Sequence, residues 1–434
     1  MELKHGKAGR LWNRRRFLQW AGVGALSTLA ARHAIVGARP FEDPPPGGGA
    51  PAPSWPVLVE SNTRFATDLY HQLLKDKPDD NHFLSPFSIS TALAMTAAGA
   101  RNKTAEEMYQ VLHLRPELLG EFKIILRALN AGDPQKRGFA LSTANALWAQ
   151  QGYPWRPEYK QSVQQKFDAG LFDVDFMSNP EGSRTTINTW VERQTHDKIK
   201  NLLPPGIITP LTRLVLTNAI YFKGNWLTQF DKKLTQEQDF TKIDGSTVRV
   251  PLMHHSALPS CSYAEGEDFQ ALDIPYQGKE LSMLIVLPRA YNELPALEKR
   301  LTLDYLNNIR RALRPQIKVD VYLPRFRVEA SYSLKEPLGA LGMKAAFSPE
   351  TADFSGMHTG REKLFISAVL HKAFVEVNEE GTEAAAATAV VIKTRGLPPP
   401  SPVFRVDRPF LFFIRDRGTG SILFMGRVVN PANK

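Results

Sequence analysis

The feature that most limits what this chain can fold into is a change of hydrophobic period partway along it. Up to about residue 203 the apolar residues recur at helical spacing. Ser61 to Leu74 carries Phe65, Leu69, Tyr70 and Leu73 on one face, with Ser61 or Asn62 placed to cap it. Ser88 to Ala98 is an alanine-rich apolar stretch of helix length, and Thr104–Leu112, Pro116–Leu129 and Arg184–Leu203 read as amphipathic helices. From Leu214 the pattern becomes that of strands: Leu214 to Gly224, Leu281–Leu287, Lys318–Phe326 and Phe374–Asn378. Phe410–Ile414 and Ile422–Val429 complete a hairpin around Asp416 to Gly420. Helices first and strands after predict an α+β class with large sheets. Neither an internal repeat nor a second linker lies between residue 57 and the loop near residue 380, so one large domain, 57–434, is expected.

The formal charge of +10 is a property of one end of the chain. Residues 1–38 hold Lys4, Lys7, Arg10, Arg14, Arg15, Arg16 and Arg32 against Glu2, so this segment alone carries +6 and leaves +4 for the remainder. That balance gives no reason to expect a nucleic-acid partner. Arg14-Arg15-Arg16 stands directly before Phe17 to Ala31, an apolar run of about fifteen residues, shorter than a membrane span needs. A basic region, a short apolar region and small residues near Ala34 and Ala38 make residues 1–38 a leader peptide. Its paired arginines followed by Phe17-Leu18 resemble the bacterial twin-arginine export signal. An exported protein, periplasmic or extracellular, with no membrane contact after leader removal, is the expectation. Residues 39–56 form a Pro/Gly-rich linker with too little apolar content to pack.

Catalysis and metal binding find no support in the motifs. The chain has no G-x-S-x-G elbow, no H-E-x-x-H, no P-loop and no G-x-G-x-x-G after a strand. His254-His255 is the one histidine cluster, and neighbours on a strand point to opposite faces, which makes a poor chelate. Cys261 is the single cysteine, so it reads as a structural thiol and no intramolecular disulfide can form. No enzyme activity, no catalytic residue, no metal and no cofactor are therefore expected. Arg115, Lys123, Arg127, Lys136 and Arg137 lie among acids and read as a solvated face.

The segment from Glu379 to Pro402, EEGTEAAAATAVVIKTRGLPPPSP, is the informative one. Its alanines suit an exposed turn or two of helix. The apolar run Ala389-Val390-Val391-Ile392, β-branched from Val390 on, and the closing prolines suit instead an extended arm. Small side chains with threonines at alternating places can enter between strands without overfilling a core. The segment resembles the reactive-centre loop of inhibitory serpins, most closely of the antithrombin kind: an acidic pair, Glu379-Glu380, then Gly381, Thr382, Glu383 and the run Ala384 to Ala387. The likeness extends over residues 57–434, through Asn81 to Ile89, Leu214 to Trp226, Ala352 to Met357, Phe404 to Ile414 and the Phe-Met-Gly-Arg segment after Leu423.

The resemblance implies a serpin fold of three β-sheets with about nine helices and an exposed loop over residues 379–402. It implies a monomeric suicide inhibitor of trypsin-like serine proteases. The count used in that family, fourteen residues beyond the hinge glycine, puts the reactive bond at Arg395–Gly396. Loop 382–394 would insert into the main sheet and hold the protease as a covalent complex. Glu379, Gly381, Thr382, Ala384, Ala386 and Thr388 would be hinge residues. Ser85, Ser88, Asn218 and His371 resemble the cluster that holds the central strands shut. Glu379 with Arg325 resembles an ion pair near Trp226 at the top of the loop. On a strand, Thr382, Ala384, Ala386, Thr388, Val390 and Ile392 share one face, and none is charged. A non-inhibitory carrier or storage role, and inhibition of a cysteine protease, are the alternatives.

Overall fold

The computed structural model describes residues 55–130, 137–167, 170–316, 318–361, 363–382 and 401–432. Among them are nine α-helices and three sheets, the α+β class expected. The first helix, α1 (Trp55–Asp76), takes in the last two residues of the stretch read as linker. Helix α2 (Pro86–Ala97) is buried along its whole length. Pro86 starts it with a pre-set φ, and Ser85 caps it by accepting a bond from the Ser88 amide at 3.3 Å.

A six-stranded sheet positions the site. Its centre is the parallel pair β13 (Ile366–Val377) and β4 (Leu214–Asn225), which are neighbours from Ile366↔Leu214 to Phe374↔Tyr221. Outside β13 runs β12 (Phe326–Ser333), and outside β4 run β2 (Phe139–Gln150) and β3 (Gly170–Val174). Strand β4 is buried from end to end except near its exit, and both faces are covered. Leu214, Leu216, Ile220 and Phe222 enter the main core, where α2 and a seven-stranded sheet lie. Val215 and Ala219 enter a second core beneath α6 (Pro180–Gln194), with Ile187, Val191, Ala368 and Leu370. A strand buried on two faces is why its sequence is almost continuously apolar. The third sheet, four-stranded, contains β11 (Val319–Pro324) and β6 (Thr247–Leu258).

Several boundaries differ from the periodicity. The first helix begins at Trp55, so Ser61 and Asn62 lie buried inside it rather than at its cap. The helix expected over Arg184–Leu203 stops at Gln194, and His196, Asp197 and Asn201 adopt left-handed backbone at φ 51, 59 and 50°. These residue types tolerate that region. Leu203 still docks because the Asn188 side chain bonds its backbone on both sides, at 2.8 and 3.0 Å. The apolar spacing therefore continued although the helix did not. The run Lys318–Phe326 is two strands in two sheets, broken at Arg325, whose amide donates to Pro251 O at 2.9 Å. The strand read as Phe374–Asn378 begins eight residues earlier, at Ile366.

One buried ion pair fastens the first helix to the last strand. Arg427, 2% exposed, donates to both Glu298 oxygens at 3.2 and 3.3 Å, and Tyr70 donates to Glu298 at 2.6 Å. Cys261 is buried, and burial pushes its thiol up to about 11, which suits an inert packing role. His254 Nε2 donates to Asp320 Oδ1 at 2.8 Å, and its ring stacks on Tyr322 with the centroids 4.2 Å apart. Among the described residues no cluster of metal-ligating side chains occurs, and no helix is long and apolar enough to cross a membrane.

Candidate functional site

The upper end of the six-stranded sheet holds a two-residue strand, β14 (Gly381–Thr382), between β13 and β4. Thr382 pairs with Val377 on one side and Gly224 on the other, antiparallel to both. Gly381 has φ +152°, and a Cβ there would collide with the Gly224 carbonyl, so only glycine fits. Thr382 is fully buried, and its hydroxyl shares a 2.8 Å hydrogen bond with Tyr276. Trp226 stacks on Tyr276 at 4.8 Å, within 6° of parallel. It also donates from its indole nitrogen to Asn378 O at 2.9 Å and from its amide to Glu380 O at 2.9 Å.

The acidic pair before the glycine is tied down on both sides. Glu379, 1% exposed, accepts from Arg325 Nε at 2.8 and 2.9 Å, and from the Thr235 hydroxyl. Burial pushes the Glu379 carboxyl upward. The guanidinium and the hydroxyl outweigh it and leave the carboxyl below its ordinary value. Glu380 accepts from Lys232 Nζ at 2.5 Å. The chain thus enters the gap from a turn fixed by two charged pairs.

Below this entry, Tyr332, His371, Asn218 and Asn145 stand in one register row across β12, β13, β4 and β2. His371 is fully buried, and its Nε2 accepts from the Ser85 amide at 3.1 Å, so Nδ1 carries the proton and donates to Asn218 Oδ1 at 2.5 Å. Asn218 Nδ2 donates to Ser88 Oγ at 2.8 Å and Asn145 Oδ1 at 2.7 Å. Ser88 Oγ donates to Asn145 Oδ1 at 2.8 Å, and Ser85 Oγ to Leu423 O at 2.7 Å. Side chains therefore bridge the β13–β4 seam and join it to the start of α2. Ser85, Ser88, Asn218 and His371 come together in this row, while Glu379, Gly381, Thr382, Trp226 and Arg325 come together at the upper end. Ala384, Ala386, Thr388, Arg395 and Gly396 lie outside the described residues.

Asn145 and Tyr276 complete these two groups and escaped the sequence reading. The signal for Asn145 was an amide in the otherwise small and apolar run Phe139 to Gln150, which carries no marked alternation. Nothing near Tyr276 pointed to Thr382, which is 106 residues away.

Burial lowers the His371 pKa from 6.5 to about 3, against a smaller opposing effect of the Asn218 backbone. The folded state therefore binds fewer protons than the unfolded chain between those values. The contribution of His371 to stability is full above pH 6.5 and is lost as the pH falls toward 3, at up to about 1.4 kcal/mol per unit. Denaturant unfolding at pH 7 and pH 4.5 is expected to show this loss, and His371→Gln is expected to reduce it. An equal pH dependence in both proteins would contradict the assignment.

Comparison with known proteins gives a consistent answer. Residues 60–431 match the family described as serpin (serine protease inhibitor). An uncharacterized serpin-like protein of Thermococcus kodakarensis is 44% identical over 379 residues, covering 86% of each chain. Human leukocyte elastase inhibitor is 43% identical over 383 residues, covering 86% of this chain and 99% of that one. Among solved structures, human thyroxine-binding globulin is similar with a TM-score of 0.78 at 31% identity, covering 88% of this chain and all of the other.

Proposed function

The chain belongs to the serpin family, and on that premise we propose that it is an exported, monomeric suicide inhibitor of trypsin-like serine proteases, cut after Arg395. Residues 1–38 would serve as its leader. Insertion of a cleaved loop as a new strand is the established mode of action of this class. The observation that carries the proposal for this chain is β14, which already lies between two parallel strands and antiparallel to both. Two parallel strands with a third running the other way between them make two antiparallel ladders in place of one parallel ladder, the better pairing per residue.

The register supports the length of the arm. In an arm inserted in the register of Thr382, each later residue would fall opposite one earlier in β13 and one earlier in β4. Thr388 would then arrive between His371 and Asn218 on both counts, since these two are themselves partners. Its hydroxyl would accept the Nδ1 proton of His371 and donate to Asn218, replacing the bond that insertion breaks. Ile392 would come opposite Leu214, near the far end of the sheet. Thirteen extended residues, 382–394, reach about 43 Å, which would carry a tethered protease from one end of the sheet to the other.

The chemistry begins as ordinary proteolysis. The serine oxygen of the protease attacks the Arg395 carbonyl, the bond to Gly396 breaks, and the new amine of Gly396 leaves with the proton. An ester then joins Arg395 to the serine, and water would hydrolyse it unless insertion is faster. Arg395 suits a protease whose specificity pocket is acidic.

Incubation with trypsin is expected to give a covalent adduct that survives boiling in detergent, with peptide Gly396–Lys434 released. Complete cleavage with all trypsin activity retained would sink the inhibitory reading. Release of a different peptide would move the reactive bond.

A further inference from the structure

The corner where α3 (Asn102–Val111) begins carries an arginine-lined pocket remote in sequence from the loop. Its volume is about 630 Å³, and Arg101, Asn102, Arg156, Glu158, Ser162 and Ser355 line it. Arg101 lies before α3, and its guanidinium covers Gly356, where a Cβ would collide with it. Its Nη1 donates to the carbonyls of Ala100 at 2.7 Å and Ala98 at 3.4 Å. Arg156 lies before α5 (Pro157–Phe167) and donates from Nε to Ser355 O at 2.8 Å. Two guanidinium groups therefore rest on the consecutive residues Ser355 and Gly356.

Among the described residues, each is held by backbone carbonyls and neither forms an ion pair with a carboxylate. The nearby Asp353 accepts from Asn102 Nδ2 at 2.7 Å and from the Ser355 amide at 3.0 Å, and it acts on Arg101 through space rather than by a direct bond. Backbone anchoring fixes the two planes and leaves the remaining N–H donors for an acceptor with several oxygens. The hydroxyls of Ser162 and Ser355 add donors at the same wall. Glu158 in the lining and Asp353 beside Arg101 balance the two arginines in net charge, so an anion is favoured here by the directed N–H donors of both guanidinium groups engaging it at once.

We propose that this pocket binds a phosphate or sulfate monoester of a small polar molecule. Both esters present a tetrahedral group of acceptor oxygens. The pocket exceeds the size of the anion alone and lies in the range of small-molecule sites.

Isothermal titration with glucose 6-phosphate and with glucose 6-sulfate tests this at constant ionic strength. One saturable site is expected for at least one of them, and the preferred ester identifies the source. Arg101→Ala and Arg156→Ala are each expected to weaken binding about tenfold. Glu158→Gln, which removes one opposing charge at an exposed position, is expected to strengthen it several-fold. No saturable binding of either ester, or unchanged affinity in the two arginine variants, overturns the proposal. A Glu158→Gln protein that binds no better than the parent counts against it in the same way, and that variant leaves the two anchoring arginines in place.

Discussion

Thr382→Arg is expected to abolish the covalent adduct with trypsin while leaving cleavage after Arg395 intact. Thr382 is fully buried between Val377 and Gly224, with its hydroxyl on Tyr276. Arginine at that place would bring a charge under the stacked Trp226 and Tyr276, at a cost of several kcal/mol unless it leaves the sheet. The first ladder position would then stay empty, and the strands below could not be separated in sequence from the top. Hydrolysis of the acyl-enzyme would win, and the chain would become a substrate. Gel electrophoresis after boiling in detergent and residual trypsin activity are the two measurements. An unchanged yield of adduct would show that entry at Thr382 is not the step that matters. Thr382→Ser keeps the hydroxyl and the size, so it is expected to retain the adduct.

The second large effect is thermal. A chain cut at Arg395 and freed of its protease is expected to melt roughly 20 °C above the intact one. About ten new ladder hydrogen bonds at about 1 kcal/mol each, converted at about 2 °C per kcal/mol for a large domain, give that figure. Burial of Val390 and Ile392 would add to it. Calorimetry of intact and clipped protein decides the matter. A midpoint that does not move would mean that the arm stays outside, and would favour a carrier over an inhibitor. The intact form is, on this reading, a trapped state whose persistence is set by a barrier.

Much of the fold could be read from the sequence because its period is local information. The helical spacing of Phe65, Leu69 and Leu73 and the unbroken apolar run of β4 report burial directly. What could not be read depends on partners distant in the chain. Strand β2 was missed because small residues such as Ala140, Ala144 and Ala146 alternate with no clear polar face, the sheet being covered on both sides there. The break at Arg325 was invisible because a change of sheet needs no change of residue type. For the site, the acidic pair, Gly381 and Thr382 were legible through resemblance, and so were Ser85, Ser88, Asn218 and His371. Asn145 became visible only once the register aligned it with Asn218. Tyr276 became visible only through its hydroxyl on Thr382.

One pairing also limits how such a domain can be made. Strand β1 (His82–Leu84), near the beginning of the domain, lies against β17 (Ile422–Val428), near its end, with His82 opposite Arg427. The seven-stranded sheet that backs the main core cannot be closed until the last strands of the domain have been made. Piecemeal maturation from the amino end is therefore incompatible with this architecture. A translocation route that accepts only finished cargo would suit it, and one that threads the polypeptide outward would have to postpone all of its assembly to the far side.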